Sequence, residues 1–307
     1  MAVIECRDVG VLYRVGLLRS IGLKNYALRK LKHDARPREF WANRHVSFSL
    51  ERGDMLAVIG INGSGKSTLL KAISGVLKPE EGMIHVEGRL AALIELYSGF
   101  DPEMTVRENT YLRGAMLGLT YEFVNRKYDE IIEYAGLQDF QDYSFQQLST
   151  GMRSQLGFSI ACLMKPEILI LDEVFSVGDG AFRKKSGERI KTMLKEDAMT
   201  GILVSHTTSQ LRELCNKILW IDKGTQIIFS DQVELICDAY EEYLATRILP
   251  KTEEDYICYS ERYRERTQRE QKDAAGLNKL LTQMDDNAAA AAAVDILKRY
   301  RPELLRE

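Results

Sequence analysis

The sequence predicts an α/β fold with a parallel sheet, a helical region inserted into it and a charged helical tail. Three observations lead to this prediction. Short apolar runs at residues 55–59, 168–171 and 201–205 are typical of buried strands. Residues 106–165, which separate the first two runs, carry mostly helical patterning. After residue 246 the composition becomes charged and alanine-rich, which favours solvated helices over further strands.

The remaining elements are predicted from turn and cap signals, taken in chain order. Turns at 51–54 and 78–82 separate the early strands. Thr105 followed by Glu108 fits a capping box at the start of a helix, and Gly136 is expected to end a helix. These signals predict strands at 2–13, 83–94, 217–222 and 225–229, and two further strands within 46–59, one on each side of the turn. They predict helices at 66–75, 182–197 and 233–244.

The composition is that of an ordinary globular protein with enough apolar material for a sizeable core. The chain has 307 residues, of which 45% are hydrophobic and 28% charged, and its formal net charge is −3. This charge gives no general argument for a nucleic-acid partner. The five cysteines form no C-x-x-C pair, which fits free thiols in a reducing compartment. We expect neither a signal peptide nor a membrane span, so a membrane role must come through a partner.

The stretch 55–68 joins a strand, a glycine-rich turn and the start of a helix. It matches the phosphate-loop pattern G-x-x-x-x-G-K-[ST], with Gly60, Gly65, Lys66 and Ser67 in the fixed places. Glycines let successive N–H groups point at phosphate oxygens, and the helix N-terminus adds partial positive charge. We expect Lys66 to reach the β and γ phosphates of a nucleotide and Ser67 to ligate Mg²⁺. The candidate nucleotide-binding residues here are Gly60, Asn62, Gly63, Ser64, Gly65, Lys66, Ser67 and Thr68.

Two carboxylates follow the apolar run at 168–171. In doubly wound sheets, ligands bind beyond the carboxyl ends of the strands. Asp172 is therefore placed to hold Mg²⁺, and Glu173 to polarise an attacking water. The alternative is a solvated Asp-Glu turn, which the phosphate loop upstream makes the weaker interpretation.

Four further residues are candidates whose types allow more than one interpretation. Ser149 can cap the helix over 151–164, which begins at Gly151, or its position before the next motif can mark a functional role for this stretch. His206 follows the next strand and could touch a γ-phosphate there. Tyr13 could stack on an adenine ring, or it could be an ordinary core or surface tyrosine.

Two segments stand apart from this pattern. Residues 14–44 hold nine basic and two acidic residues, and nine minus two gives +7. Interleaved leucines suggest a basic amphipathic helix for an anionic membrane surface or the cytosolic face of a partner, although a helix packed on its own domain fits as well. Residues 247–307 contain the charged run 259–272 and a six-alanine run, and they predict helices with one modest apolar stripe.

Together, these motifs resemble the ATPase subunit of an ABC transporter over residues 1–246. The resemblance rests on Gly60–Thr68, Leu148–Met152, Ile168–Glu173, Ser176–Asp179 and His206. It implies an ABC-type P-loop NTPase fold with a helical subdomain over about 104–165. It also implies a head-to-tail dimer that encloses two ATP molecules. Ser149 and Gly151 would then bind the γ-phosphate across the interface, while Glu173 acts on water and His206 senses that phosphate.

Three stretches are similar to bacterial exporters of O-antigen, capsule and teichoic acid, namely 39–48, 99–109 and 177–185. This similarity implies ATP-driven export of a lipid-linked polysaccharide by a subunit at the cytoplasmic face of the membrane, with a separate integral membrane permease and no nucleic acid. The basic stretch 14–44 would lie against the permease or the glycan. Two departures concern coupling: the signature reads Leu-Ser-Thr-Gly-Met where the family has LSGGQ, and the usual loop glutamine is absent, with Glu95 the nearest polar residue.

Two other functions remain open at this stage. The chain could energise another transported substrate, or it could be an ABC-type ATPase that does not serve transport. A degenerate subunit is disfavoured by intact Lys66, Asp172, Glu173 and His206. We place the ATPase domain at 1–246 and a helical extension at 247–307, which lacks the alternating strands of a carbohydrate-binding sandwich.

Overall fold

The computed structural model describes residues 2–15, 38–93, 99–163, 166–172, 180–196, 199–205 and 207–283. Glu95, Glu173, the loop 176–179, His206 and most of the basic stretch lie outside the described residues. The strands are β1 Ala2–Val15, β2 Arg38–Glu51, β3 Met55–Ile59, β4 Glu81–Val86, β5 Leu90–Leu93, β6 Ile168–Asp172, β7 Thr200–Val204, β8 Lys217–Asp222 and β9 Thr225–Ser230. The helices are α1 Lys66–Ile73, α2 Val106–Met116, α3 Tyr121–Ala135, α4 Thr150–Leu163, α5 Gly180–Glu196, α6 Thr208–Leu214, α7 Val233–Thr246 and α8 Glu253–Gln283.

Nine strands form one sheet in the order β4-β1-β2-β9-β8-β3-β7-β6-β5. The strands from β8 to β5 run parallel, whereas β1 pairs antiparallel with both β2 and β4. Every residue of β3 and β7 is buried, and apart from Thr200 and Gly201 at the start of β7 both strands are apolar without alternation. The predicted α/β class with a parallel sheet is therefore confirmed.

The first two strands are longer than the sequence patterns indicated. Strands β1 and β2 each contain 14 residues and pair from Ala2–Glu51 to Val15–Arg38. Both ends of the predicted basic insertion 14–44 are therefore strand. Arg14 is held there by Glu39 at 2.9 Å and by Glu80 at 2.6 Å. The predicted amphipathic helix falls between the two strands, outside the described residues.

A helical layer is built by α2, α3 and α4 around its own apolar cluster. Thr105 and Glu108 form the predicted capping box, since each side chain accepts a hydrogen bond from the other residue's backbone N–H. Gly136 has φ 67° and ends α3 in the left-handed conformation, as predicted. The buried cluster comprises Val106, Val124, Tyr128, Ile131, Ile132, Ala135, Leu137, Phe145, Leu148, Leu156, Ile160 and Leu163.

The chain divides into two compact units between Val233 and Glu234. Helix α7 therefore falls almost entirely in the second unit. The predicted boundary of the ATPase domain after residue 246 stays a prediction. Polar side chains join α7 to α8. Asp238 is 3% exposed and accepts hydrogen bonds from Ser260 at 2.7 Å and from Arg264 at 2.6 Å. None of the helices in the described ranges combines the length and apolar composition needed to cross a bilayer.

Candidate functional site

The site is organised by the loop between strand β3 and helix α1. Gly60 and Gly65 have φ of 150° and 105°, which are values that residues with a side chain rarely adopt. A Cβ atom on Gly60 would lie 2.2 Å from the carbonyl oxygen of Ile221, and one on Gly65 would lie 2.4 Å from that of Ala42. Glycine is therefore required at both positions, because backbone atoms of strands β8 and β2 leave no room for a Cβ atom.

The start of helix α1 has the features of an anion site. The Lys66 side chain is buried, and its Nζ donates to the carbonyl oxygens of Gly60 at 2.7 Å and Ile61 at 3.1 Å. These bonds fold the lysine back over the loop, with the ammonium group beside the loop backbone. The N-cap residue Gly65 provides no side-chain cap, and the first turn of α1 contains no acidic residue. No side-chain cap and no carboxylate of that turn therefore competes with a phosphate for this helix N-terminus.

A cavity of about 580 Å³ lies over this loop. It is lined by most of the predicted nucleotide-binding residues, whereas Gly60 and Ser64 are absent from its wall. Ser64 is 1% exposed, so its side chain is buried and does not line the cavity. The lining residues are Tyr13, Phe40, Trp41, Ala42, Asn62, Gly63, Gly65, Lys66, Ser67, Thr68, Lys223 and Gly224.

The hairpin turn between β8 and β9 is part of the site, which the sequence analysis did not predict. The Gly224 N–H donates to the carbonyl oxygen of Ser64 at 2.8 Å, and the Gly224 carbonyl accepts from the Arg44 N–H at 2.8 Å. Lys223 lines the same cavity and brings a second cation to it. The sequence indicated only a turn at Lys223-Gly224, because the contact with the phosphate loop depends on the strand order.

Aromatic side chains form one wall of the cavity. The rings of Tyr13 and Phe40 stack with centroids 5.4 Å apart and planes 18° apart, and Phe40 is 50% exposed. Trp41 lies beside them, with the Arg44 guanidinium 4.6 Å from its ring centroid. This wall offers flat apolar faces to a nucleotide base. The stacking role of Tyr13 stays a prediction, and Phe40 and Trp41 join it as residues that the sequence analysis had not assigned to the site.

The fold brings Asp172 to the phosphate loop. The Ser67 hydroxyl donates to Asp172 Oδ2 at 3.3 Å, although 105 positions separate the two residues. Strand β6, which ends at Asp172, pairs with β7, and β7 pairs with β3, which leads into the loop. A hydroxyl and a carboxylate are oxygen ligands of the kind that Mg²⁺ prefers alongside phosphate oxygens, so this pair fits the predicted metal. Glu173 directly follows, outside the described residues.

The residues of the signature-like stretch lie elsewhere in this chain. The Ser149 hydroxyl accepts from the Met152 N–H at 3.2 Å, so Ser149 caps helix α4. Its neighbour Leu148 is buried, whereas Ser149 itself is exposed. A Cβ atom on Gly151 would meet only the Ser149 hydroxyl within 4 Å, at 3.9 Å. Neither Ser149 nor Gly151 lines the cavity at the phosphate loop.

Comparisons with known proteins agree with this architecture. A family model described as "ABC transporter" matches residues 43–176. The O-antigen export system ATP-binding protein RfbB of Klebsiella pneumoniae is 39% identical over 208 residues, which cover 68% of this chain and 84% of that protein. The teichoic acids export ATP-binding protein TagH of Bacillus anthracis is 38% identical over 204 residues, which cover 66% of this chain and 37% of that protein.

Among solved structures, the fold resembles the ATP-binding cassette MJ0796, determined as a dimer in a post-hydrolysis state bound to ADP and Pi. The TM-score is 0.59 at 19% identity, and the match covers 74% of this chain and 97% of that one. At this identity the likeness shows the fold alone.

Proposed function

Because the chain belongs to the ABC transporter family, we propose that it is the ATP-hydrolysing subunit of an exporter that moves a lipid-linked polysaccharide across the cytoplasmic membrane. The names of its relatives RfbB and TagH support this substrate class. The observation that carries the catalytic part is the approach of Ser67 to Asp172 at 3.3 Å beside the cavity of the phosphate loop. The phosphate loop and two oxygen ligands for a metal ion therefore lie side by side.

The proposed chemistry assigns a role to each of these groups. The N–H groups at the start of α1 and the Lys66 ammonium bind the β and γ phosphates of ATP. Ser67 and Asp172 hold Mg²⁺, which neutralises charge on the phosphates when bound. We assign Glu173, next in the chain, to the attacking water, and His206 to the γ-phosphate. Tyr13 and Phe40 offer their ring faces to adenine.

The second half of the nucleotide site comes from another copy of the chain. The exposed N-terminus of α4, with Ser149 and Gly151, supports this part of the proposal because helix N-termini attract anions and this one does not line the cavity of the chain's own phosphate loop. In a head-to-tail dimer, each ATP lies between the phosphate loop of one copy and Ser149 of the other. Closure on ATP and opening after hydrolysis then form a two-state switch that drives the transport partner.

The partner is an integral membrane permease, and the chain binds it peripherally at the cytoplasmic face. The formal charge of +7 on residues 14–44 supports contact with the permease, an anionic membrane surface or the glycan carrier.

Hydrolysis is tested with a matched pair of lysine variants of the full chain. Lys66 is buried against the phosphate loop, whereas Lys78 lies exposed in the turn after α1. Lys66→Ala and Lys78→Ala change the net charge equally. We expect Lys66→Ala to abolish hydrolysis of MgATP, and Lys78→Ala to retain the wild-type rate. Equal rates in the two variants would refute the catalytic assignment.

The partner is tested by purifying the Glu173→Gln form with MgATP from cells that co-express the neighbouring membrane proteins. Mass determination should show a dimer of this chain with bound ATP and an integral membrane permease, whose lipid can then be identified. A dimer that binds ATP without a membrane protein would contradict the transport role but keep the ATPase. If the permease carries no glycan lipid, the transported substrate belongs to another chemical class.

A further inference from the structure

Two asparagines in the described part of the chain are fully buried, and they differ completely in their hydrogen bonding. Asn109 on α2 accepts from the Asp101 N–H at 2.8 Å, and its amide nitrogen lies 2.9 to 3.1 Å from the carbonyl oxygens of Asp101, Met104 and Thr105. Asn43 on β2 is equally buried, at 0% exposure, yet neither Oδ1 nor Nδ2 has a hydrogen-bond partner among the described residues. Unsatisfied buried amides are rare in folded proteins, so Asn43 calls for an explanation.

The position of Asn43 links it to the phosphate loop. A Cβ atom on Gly65 would lie 2.5 Å from Asn43 Nδ2 and 3.3 Å from its Cγ, so the amide lies directly against the backbone of Gly65. Gly65 is the N-cap of α1, where the phosphate loop ends and the helix begins. Asn43 itself does not line the cavity. It can therefore affect a bound phosphate only through the backbone of the loop.

The same part of the loop has further support and a second unpaired group. The turn at Gly224 holds the carbonyl of Ser64 by a 2.8 Å hydrogen bond, and Arg44, next to Asn43 on β2, holds that turn in place. Ser64 is 1% exposed, and its hydroxyl has no hydrogen-bond partner among the described residues. Asn43 and Ser64 are therefore two buried polar side chains without hydrogen-bond partners among the described residues. Asn43 packs against Gly65, and Ser64 precedes Gly65 in the loop, where an anion is expected to bind.

We propose that Asn43 is a positioning residue of the phosphate loop, and that its amide gains hydrogen bonds to the loop backbone when nucleotide phosphate binds. This inference rests on the proposed nucleotide site and deepens it. A phosphate at the start of α1 draws the N–H groups of the loop toward it and shifts the backbone at Gly65. The shift brings main-chain groups into reach of Asn43. An unsatisfied buried polar group destabilises the form that contains it, so its satisfaction in the bound form favours binding.

The test compares Asn43→Leu with Asn109→Leu in the full chain. Both changes remove a buried amide, but only Asn43 faces the phosphate loop. We measure the dissociation constant for MgATP, the KM and kcat of hydrolysis, and the thermal midpoint without nucleotide. For Asn43→Leu we expect a dissociation constant and KM about fivefold higher, the effect of about one net hydrogen bond, with kcat within about twofold. For Asn109→Leu we expect a lower thermal midpoint and an unchanged dissociation constant.

A second variant, Asn43→Ala, avoids the larger leucine side chain and decides the matter if Asn43→Leu does not fold. Unchanged MgATP affinity in the folded Asn43 variants would overturn the inference, and so would an equal loss of affinity in Asn109→Leu, since general destabilisation would then explain both. These results are distinct from failure of the proposed function, in which the wild-type chain itself would not bind MgATP and both proposals would fall.

Discussion

The two glycines at either end of Gly63–Gly65 give a prediction about what holds the phosphate loop in shape. Both have positive φ, 78° at Gly63 and 105° at Gly65. They differ in their surroundings. A Cβ atom on Gly63 would meet nothing within 4 Å, whereas one on Gly65 would lie 2.4 Å from the carbonyl oxygen of Ala42 and 2.5 Å from Asn43 Nδ2. Gly63→Ala therefore introduces a conformational cost alone, and Gly65→Ala adds a steric cost.

The magnitudes follow from these two contributions. A left-handed conformation costs a residue with a side chain about 1–2 kcal/mol, which is the expected loss of unfolding free energy in Gly63→Ala. In Gly65→Ala the nearest obstacle is the backbone of β2, which cannot rotate away as a side chain would. Overpacking of this kind costs about 1–3 kcal/mol more. The sum of about 2–5 kcal/mol lowers stability strongly but leaves a domain of ordinary stability folded.

Urea unfolding followed by tryptophan fluorescence measures this difference. The two tryptophans, Trp41 and Trp220, lie in strands β2 and β8 of the same sheet, and Trp220 is fully buried. We expect the urea midpoint to fall modestly in Gly63→Ala and further in Gly65→Ala. Equal midpoints, or a larger loss in Gly63→Ala, would refute the conclusion that strand β2 sets the shape of the loop.

Three further predictions concern the capping box, the second unit and the thiols. Hydrogen bonds from the Thr105 N–H and hydroxyl hold the pKa of Glu108 below its ordinary 4.5, so their stabilisation is present above pH 4.5 and is lost as the pH falls through the lowered pKa. Thr105→Ala should lower the unfolding free energy by about 1 kcal/mol at pH 7 and weaken this acid dependence, as measured by urea unfolding at several pH values. Arg264→Ala should destabilise the α7–α8 pair by about 1 kcal/mol, seen as faster proteolysis, because it removes a 2.6 Å partner of buried Asp238. Ellman's reagent should label about one thiol per native chain, Cys258, since the other four are buried.

Each of these predictions has a control. Thr105→Ser keeps a hydroxyl cap and should retain the acid dependence; loss of that dependence in the serine variant would point away from the cap. Arg269 pairs with an exposed glutamate, so proteolysis as fast in Arg269→Ala as in Arg264→Ala would contradict the role of buried Asp238. Burial raises the pKa of the Cys6 and Cys162 thiols to about 12, so rapid labelling of Cys258→Ser would show that the buried thiols are more accessible than the structure indicates.

Features that depend on neighbouring residues could be predicted well. The capping box of Thr105 and Glu108 spans three positions, and the left-handed end of α3 at Gly136 needs only the absence of a Cβ atom. The loop from Gly60 to Lys66 is equally local, since its glycines set the backbone path. The parallel strands could be predicted because burial on both faces demands apolar residues at every position.

Features that depend on strand order could not be predicted. The turn at Gly224 reaches Ser64 because β9 pairs with β2 at Arg44 and Thr225, residues far apart in the chain. No local pattern encodes that pairing. Likewise, no local pattern indicates that Asp238 on α7 accepts hydrogen bonds from Ser260 and Arg264 on α8.

The sequence by itself determined the fold class, the phosphate loop with Lys66 and Ser67, and the candidate carboxylate Asp172, because each is written in a short pattern of residue types. Only the tertiary structure decided that Ser67 lies 3.3 Å from Asp172, that Phe40 and Lys223 share the cavity, and that Asn43 lies unpaired behind Gly65. The physical reason is that these relations come from the packing of strands across the sheet, which brings together residues that lie apart in the chain, such as Ser67 and Asp172.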